Sequence, residues 1–245
     1  MEVADGVHRL GHAYVSCYLV EGDGTDMLLV DAGLPAMWPM LAHGLRSLGR
    51  TPEDLAAIVL THAHFDHTGF AARAQQRLGI PVWAHAEDFF IAAHPYRYAH
   101  ENPRALYPVR HPRAIPIQVA MARAGALRVP GVRGLRPLHP ESRLDVPGRP
   151  EVVFTPGHTY GHCALHLRDR DVLLTGDALV TLDPYTGVTG PQIVAGAATA
   201  DSEQALESLG ALAATGARVL LPGHGEPWTQ GVADAVTQAR ARGAH

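Results

Sequence analysis

His62, His64, Asp66 and His67 crowd into six residues of the stretch LTHAHFDHTGF, Leu60 to Phe70. Imidazole and carboxylate are the donors that first-row divalent metals take. In an extended segment, residues two apart point to one side, so His62 and His64 can grip one ion. Asp66 and His67 fall at the turn into what reads as a helix and can face a second ion. Thr68 and Gly69 are small enough to let the chain turn closely there. The arrangement recurs downstream: His158 follows VVFTPG, Asp177 follows VLLTG and His224 follows RVLLPG. His158 would complete a set with His62 and His64, and His224 would join Asp66 and His67. Asp177 has two oxygens and can bridge. Two ions so held can share and acidify a water, giving hydroxide near neutral pH, while one polarises the bond under attack. The plain alternative is a polar loop in a chain that has 16 histidines. Repetition of the pattern at separate strand ends weighs against it.

The elements that must position these groups are legible in outline. HAYVSCYLV, the turn residues EGDGTD and then MLLVDAG read as a hairpin over 12–31. Residues 36–48 have helical periodicity and stop at Gly49, and Thr51-Pro52-Glu53-Asp54 carries the signals of a short helix start. AAIVLT is a buried strand that delivers the histidine cluster, GFAARAQQRLG is helical and IPVWAH is a strand. Between 86 and 140 the character changes. AEDFFIAAH and IQVAMARAGAL can be helices, while Pro95, Pro103, Pro108, Pro112 and Pro116 punctuate the rest. This stretch is expected to be a cap inserted into a single metallo-hydrolase domain spanning 1–245. Strands return in PEVVFTPG, CALHLRD and DVLLTGD, followed by a loop from Thr181 to Ala198. A helix capped by Asp201 or Ser202, the strand ARVLLPG and a helix near 231–242 complete the chain. Strands precede helices in each half, which predicts an α+β class fold, a four-layer αββα sandwich. MLLVDAG and DVLLTGDA echo each other faintly, each an apolar strand ending in aspartate.

Composition narrows the functions. Of 245 residues, 47% are hydrophobic and 18% charged, ordinary values for a globular protein. The net charge of −4 argues against an electrostatic grip on nucleic acid or anionic membrane. No apolar run approaches the roughly 18 residues of a membrane span. The start MEVADGVHRL shows no basic region followed by an apolar core, and Cys17 and Cys163 suggest no disulfide framework. A cytoplasmic protein acting on a small molecule is the expectation, with a homodimer left open.

Taken together, THAHFDH, TPGHTYGH, LLTGDA and LPGHG, with LLVDAG upstream, resemble the metallo-β-lactamase-fold hydrolase superfamily. The motifs come in the family's order and cover residues 12 to about 230, apart from 86–140. The resemblance implies the αββα fold and a dinuclear site, commonly zinc, sometimes iron or manganese. It implies His62, His64 and His158 at one metal, Asp66, His67 and His224 at the other, and Asp177 between them. Asp66 would also accept the nucleophile's proton. Asp31 matches a family aspartate that supports the site by orienting a ligating histidine; a turn residue is its plain alternative. Asp177 and TPGHTYGH look like the glyoxalase II and lactonase branch. Val180, however, stands where acyl homoserine lactonases tend to carry tyrosine, and GVADAVTQARARGAH is too short for the basic helical region of glyoxalase II. The expected reaction is therefore hydroxide attack on an ester, thioester or lactone carbonyl, with the substrate open. The rivals are an iron-dependent oxidoreductase of the persulfide dioxygenase kind, a phosphodiesterase for small phosphoesters, and a metal-bound scaffold without turnover.

Other residues invite plainer readings. His85 ends a strand but reads as structural or surface. His162 belongs to the motif without being a ligand, and Cys163 reads as a small buried apolar residue. Phe89, Phe90, Tyr96, Tyr98 and Tyr107 read as packing. Tyr185 could donate a hydrogen bond to a substrate oxygen, or simply pack in its turn.

Overall fold

The computed structural model describes residues 1–245. Its strands are β1 (Glu2–Ala4), β2 (Val7–His12), β3 (Val15–Glu21), β4 (Met27–Val30), β5 (Leu55–Val59), β6 (Val82–His85), β7 (Arg136–Leu138), β8 (Glu151–Phe154), β9 (Cys163–Leu167), β10 (Val172–Gly176), β11 (Val180–Leu182), β12 (Thr189–Gln192) and β13 (Val219–Pro222). Its α-helices are α1 (Trp38–Ser47), α2 (Phe65–Thr68), α3 (Ala71–Leu78), α4 (Phe89–Ala93), α5 (Tyr107–Arg110), α6 (Ile115–Arg123), α7 (Ser202–Ala214) and α8 (Val232–Arg242). β1 to β7 form one sheet in sequence order, and a second sheet has the order β13-β10-β9-β8. In the first, β4, β5 and β6 run parallel. In the second, β10 is parallel to β13 and antiparallel to β9, which is antiparallel to β8. β8, β10 and β13 therefore share one direction, and their C-terminal ends lie at one edge.

Strand alternation builds the layers. Cys17 and Leu19 of β3 and Met27 and Leu29 of β4 face outward to pack with Leu41 and Leu45 of α1, Ala71 and Ala74 of α3, and Met121 of α6. Their neighbours Tyr18, Val20, Leu28 and Val30 face the second sheet and meet Leu165, Leu174 and Leu221. On that sheet Ala164, Leu173 and Leu220 turn the other way, against Leu209 and Leu212 of α7 and Val236 of α8. A period of two on each strand thus yields three apolar layers between four layers of secondary structure. The predicted αββα sandwich is what forms.

The expectations miss some detail. The Thr181–Ala198 stretch, expected to be loop, contains the antiparallel ribbon β11–β12. It lacks an alternating apolar pattern, and its turn is fixed by Asp183, which accepts hydrogen bonds from the Tyr185 N–H at 2.8 Å and the Thr186 hydroxyl at 3.0 Å. β7 is a three-residue edge strand with Pro137 at its centre, a residue tolerated there because an edge needs fewer ladder bonds. Of the 86–140 stretch, Ile91, Ile117, Met121 and Val132 join the outer apolar layer. β2 meets β3 through the two-residue turn Ala13-Tyr14, whose φ angles are 50° and 65°. Both lie in the left-handed region, at a place where hairpins ordinarily use Asn-Gly. No helix is long and apolar enough to cross a membrane.

Candidate metal centre

Each donor is delivered by the end of a strand. After β4 comes Asp31, after β5 come His62, His64, Asp66 and His67, after β8 His158, after β10 Asp177 and after β13 His224. The two sheets bring these ends together. A backbone hydrogen bond from Cys163 N to Thr61 O joins them beside the site, and another runs from Ser16 N to Gly223 O. Gly223 has no room for a side chain, because a Cβ there would collide with Asp177 Oδ1 and the His67 ring.

The seven donors predicted from sequence converge. One donor atom each from His62, His64 and His158 lie within 4.8 Å of one another, as do those of Asp66, His67 and His224, and those of His62, His67 and Asp177. His64 Nδ1 is 3.0 Å from His158 Nε2. Asp177 reaches both sets: Oδ1 is 3.5 Å from His67 Nε2, and Oδ2 is 3.5 Å from His158 Nε2 and 3.2 Å from His224 Nε2. Asp66 Oδ2 lies 3.3 Å from His224 Nε2. All seven residues are buried.

The far nitrogens of the imidazoles decide which nitrogen faces inward. His67 Nδ1 is 2.9 Å from Asp31 Oδ2, which can only accept, so Nδ1 carries the proton. His224 Nδ1 donates to the Tyr14 carbonyl at 2.8 Å. The Thr199 hydroxyl gives its proton to the Val194 carbonyl, so it accepts from His158 Nδ1 at 3.2 Å. The Thr61 hydroxyl gives its proton to Asp31, so it accepts from His62 Nδ1 at 3.1 Å. In the neutral rings, as a metal would bind them, four Nε2 lone pairs are thereby aimed into one space. The Nε2 atoms of His62, His67 and His224, and Asp177 Oδ1, are buried and make no hydrogen bond. Five imidazoles and two carboxylates crowded this way, with lone pairs inward, fit divalent first-row metal ions.

The field inside the cluster is uneven. Burial, then the neighbouring imidazoles, hold His62 and His64 well below the usual histidine range. Burial likewise brings His158 down to about 4. Burial also opposes charge on His67, but the Asp31 and Asp177 carboxylates outweigh it and hold that imidazole well above its ordinary value. At His224 the Asp177 and Asp66 carboxylates overcome burial and raise it to about 10. Burial pulls Asp177 up, yet His224 and His67 hold it well below the carboxylate range.

Residues around the donors explain their rigidity. Asp31, 2% exposed with φ of 59°, accepts from the Thr61 N–H at 2.8 Å and the Thr61 hydroxyl as well as from His67. His162 is not among the converging donors. Its Nε2 accepts from the Asp177 N–H at 3.1 Å, and its Nδ1 lies 2.8 Å from the Thr155 hydroxyl. Asp88 has no counterpart in the sequence reading. It is 1% exposed and accepts from the Ala63 N–H at 2.8 Å, the Thr159 hydroxyl at 2.9 Å and the Gly161 N–H at 3.0 Å. It ties the His62–His64 segment to the His158 loop, and burial lifts its carboxyl to about 6. Tyr98, read from sequence as packing, lays its ring 3.9 Å from that of His64. Burial raises its phenol to about 12 and holds the Tyr185 phenol well above its ordinary value, so both stay protonated. His85 lies outside the cluster, stacked on Phe154 at 4.9 Å. Cys163 is buried, and burial drives its thiol up to about 12.

Comparisons with known proteins agree with this fold. Residues 10–224 match the family model described as the metallo-beta-lactamase superfamily. The chain is 28% identical over 254 residues to "Probable metallo-hydrolase YflN" of Bacillus subtilis (strain 168), covering 93% of this chain and 87% of that protein. Among solved structures it resembles the metallo-beta-lactamase family protein TTHA1429 from Thermus thermophilus, at 29% identity and a TM-score of 0.68, covering 97% of this chain and 80% of that one. It also resembles TTHA1623 in a di-iron-bound form, at 27% identity and a TM-score of 0.63, covering 97% and 98% of the two chains. With its fold, its motifs and most of its length accounted for in this way, the chain belongs to the metallo-beta-lactamase superfamily.

Proposed function

We propose that this protein is a metal-dependent hydrolase that cleaves an ester, thioester or lactone bond in a small molecule, with two divalent ions in its site. His62, His64 and His158 would hold one ion, Asp66, His67 and His224 the other, and Asp177 would be shared. The observation that carries the reading is the set of inward lone pairs, each fixed by a partner on the far side of its ring. Divalent ions in such a cage supply hydroxide at neutral pH and draw charge from a carbonyl. The rest falls to the chain itself. Asp66 would take the proton from the attacking water. Tyr98 and Tyr185, protonated near the site, can donate to oxygens of the bound substrate. Asp31, Thr61, Thr199 and the Tyr14 carbonyl hold the imidazoles still, so little reorganisation accompanies reaction. The reach of Asp177 to both sets of imidazoles and the TPGHTYGH motif support the glyoxalase II and lactonase branch. Zinc suits the donor set first. The di-iron form of TTHA1623 supports iron as the second choice, and with it oxygen chemistry on a persulfide.

The test is elemental analysis of gently purified protein alongside assays of aryl esters, thioesters, lactones and bis-p-nitrophenyl phosphate, with and without chelator. Two ions per chain and chelator-sensitive hydrolysis of a carbonyl substrate are expected. His64→Ala and Asp66→Ala should each lose most metal and activity together. Activity within a few-fold of the parent in either variant would refute the assigned roles, and oxygen uptake with a persulfide in place of hydrolysis would favour the iron reading.

A further inference from the structure

Next to the metal cluster, one cation has no matching anion. Arg104 sits in the 86–140 stretch with its guanidinium carbon 4.1 Å above the Tyr98 ring, the ring that also stacks on His64. Its Nε donates to the Ala197 carbonyl at 2.9 Å. Its Nη2 is buried and makes no hydrogen bond. A buried guanidinium edge without a partner is costly, and natural sites keep such groups where a ligand completes them. Arg104 borders a cavity of about 190 Å³ whose wall includes Phe65, Gln118, Met121, Pro184 and Tyr185. Arg104, on this wall, rests on the Tyr98 ring, and that ring lies 3.9 Å from the His64 ring, so the wall approaches the cluster through Tyr98. The nearby carboxylates are engaged elsewhere: Asp66 and Asp177 face His224 and His67, and Glu101 bonds Ser202. Arginine's planar fork matches a carboxylate in two parallel hydrogen bonds.

We propose that Arg104, resting on Tyr98, is the subsite for a carboxylate carried by the substrate, so that the preferred substrates are half-esters or half-thioesters of short dicarboxylic acids. This rests on the carbonyl-hydrolase reading above. The scissile carbonyl lies at the metal cluster, a short apolar linker runs along Phe65 and Met121, and the free carboxylate closes on the Nη2 edge. A neutral acyl chain of the same length leaves that edge unpaired. The purely structural reading makes Arg104 a clamp on the Ala197 carbonyl, with no say in which acid binds.

The experiment compares glutarate with butyrate, the same chain without the second carboxylate. Each is titrated by calorimetry into the purified metal-containing protein, and into Arg104→Met and Arg104→Lys variants whose melting curves and metal content are checked. Glutarate is expected to bind the parent at least tenfold more tightly than butyrate. The ratio should fall to within about threefold in Arg104→Met and lie between in Arg104→Lys. The kcat/KM ratio of the 4-nitrophenyl half-ester of glutarate over 4-nitrophenyl butyrate should fall in the same order. Equal affinity of the parent for the two acids overturns the proposal, whatever the variants do, and so does a preference that survives both substitutions. Glutarate preference without hydrolysis of any ester would leave the subsite standing and refute the hydrolase reading instead.

Discussion

At the scale of residues, four of the five imidazoles, those of His62, His67, His158 and His224, have their outer nitrogen held by a partner. Asp31 does the most of this, accepting from His67 and twice from Thr61, which in turn orients His62. Asp31→Asn preserves the left-handed backbone position but gives His67 a weaker partner. Metal affinity should fall roughly 10- to 100-fold, read by competition with a chromophoric chelator. Unchanged affinity would reduce Asp31 to a turn residue. The uneven field gives a second expectation. His67 and His224 hold protons at pH 7 because carboxylates face them, whereas His62, His64 and His158 do not. Zinc binding at pH 7 should therefore release protons from one class of site and almost none from the other, and the proton-releasing class should weaken first as pH falls. Calorimetry in buffers of different ionisation enthalpy measures this; equal release from both classes would contradict the assignment. All seven donors and Asp31 were legible in the sequence because each is a distinctive residue type at the end of an apolar run. Thr199 and Tyr14 were not. One is an ordinary hydroxyl brought from 41 residues away, and the other acts through a carbonyl that every residue has.

At the scale of elements, two loops must hold their spacing, and Asp88 is the tie between them. Its carboxylate serves donors from both the 62–64 segment and the 158–161 loop. Burial raises its pKa from 3.8 to about 6, so the folded state binds the proton more tightly than the unfolded chain does. The linkage sign follows. Asp88 makes the parent lose stability as pH rises from about 4 to 6, by on the order of 3 kcal/mol. Asp88→Asn removes that slope while leaving N–H donors badly matched, so the variant should be less stable throughout, by a margin that narrows from pH 4 to pH 7. Urea unfolding of both proteins across that range checks it; parallel curves would count against the buried charge. The sequence shows a single Asp in AEDFF with nothing to mark it, because its partners come from two other segments. The same limit hid β7 and the β11–β12 ribbon, which are short and lack alternation. The longer strands were legible because period-two patterning is written into the residues themselves.

At the scale of the whole molecule, the converging side chains come from both sheets, so ions held by them would link the two halves of the sandwich. His62, His64, Asp66 and His67 belong to the first sheet's strand ends, and His158, Asp177 and His224 to the second's. Removing metal should then lower stability of the entire fold rather than of one loop. With free metal about 1,000-fold above its dissociation constant the contribution is about 4 kcal/mol. For a chain of this size that corresponds to roughly 10 °C in Tm. Thermal melts with and without chelator give the answer, and a shift under 2 °C would mean that the ions do not bridge the sheets. The sandwich itself was readable from element order and alternation. How the 86–140 stretch meets the site was not, because the approach of Arg104 to Tyr98 and the Ala197 carbonyl is set by tertiary packing.

The Ala13-Tyr14 turn has a consequence for anyone improving this protein. Design by consensus would rewrite it first, since Asn-Gly suits two consecutive left-handed residues and would relieve on the order of 1–2 kcal/mol of conformational cost. The turn's carbonyl, however, is what keeps the His224 ring from swivelling. Both substitutions keep a carbonyl at position 14, so a more heat-resistant sequence preserves the anchor only where the new turn aims that carbonyl at the His224 Nδ1 as the old one does, and metal affinity has to be read beside melting point.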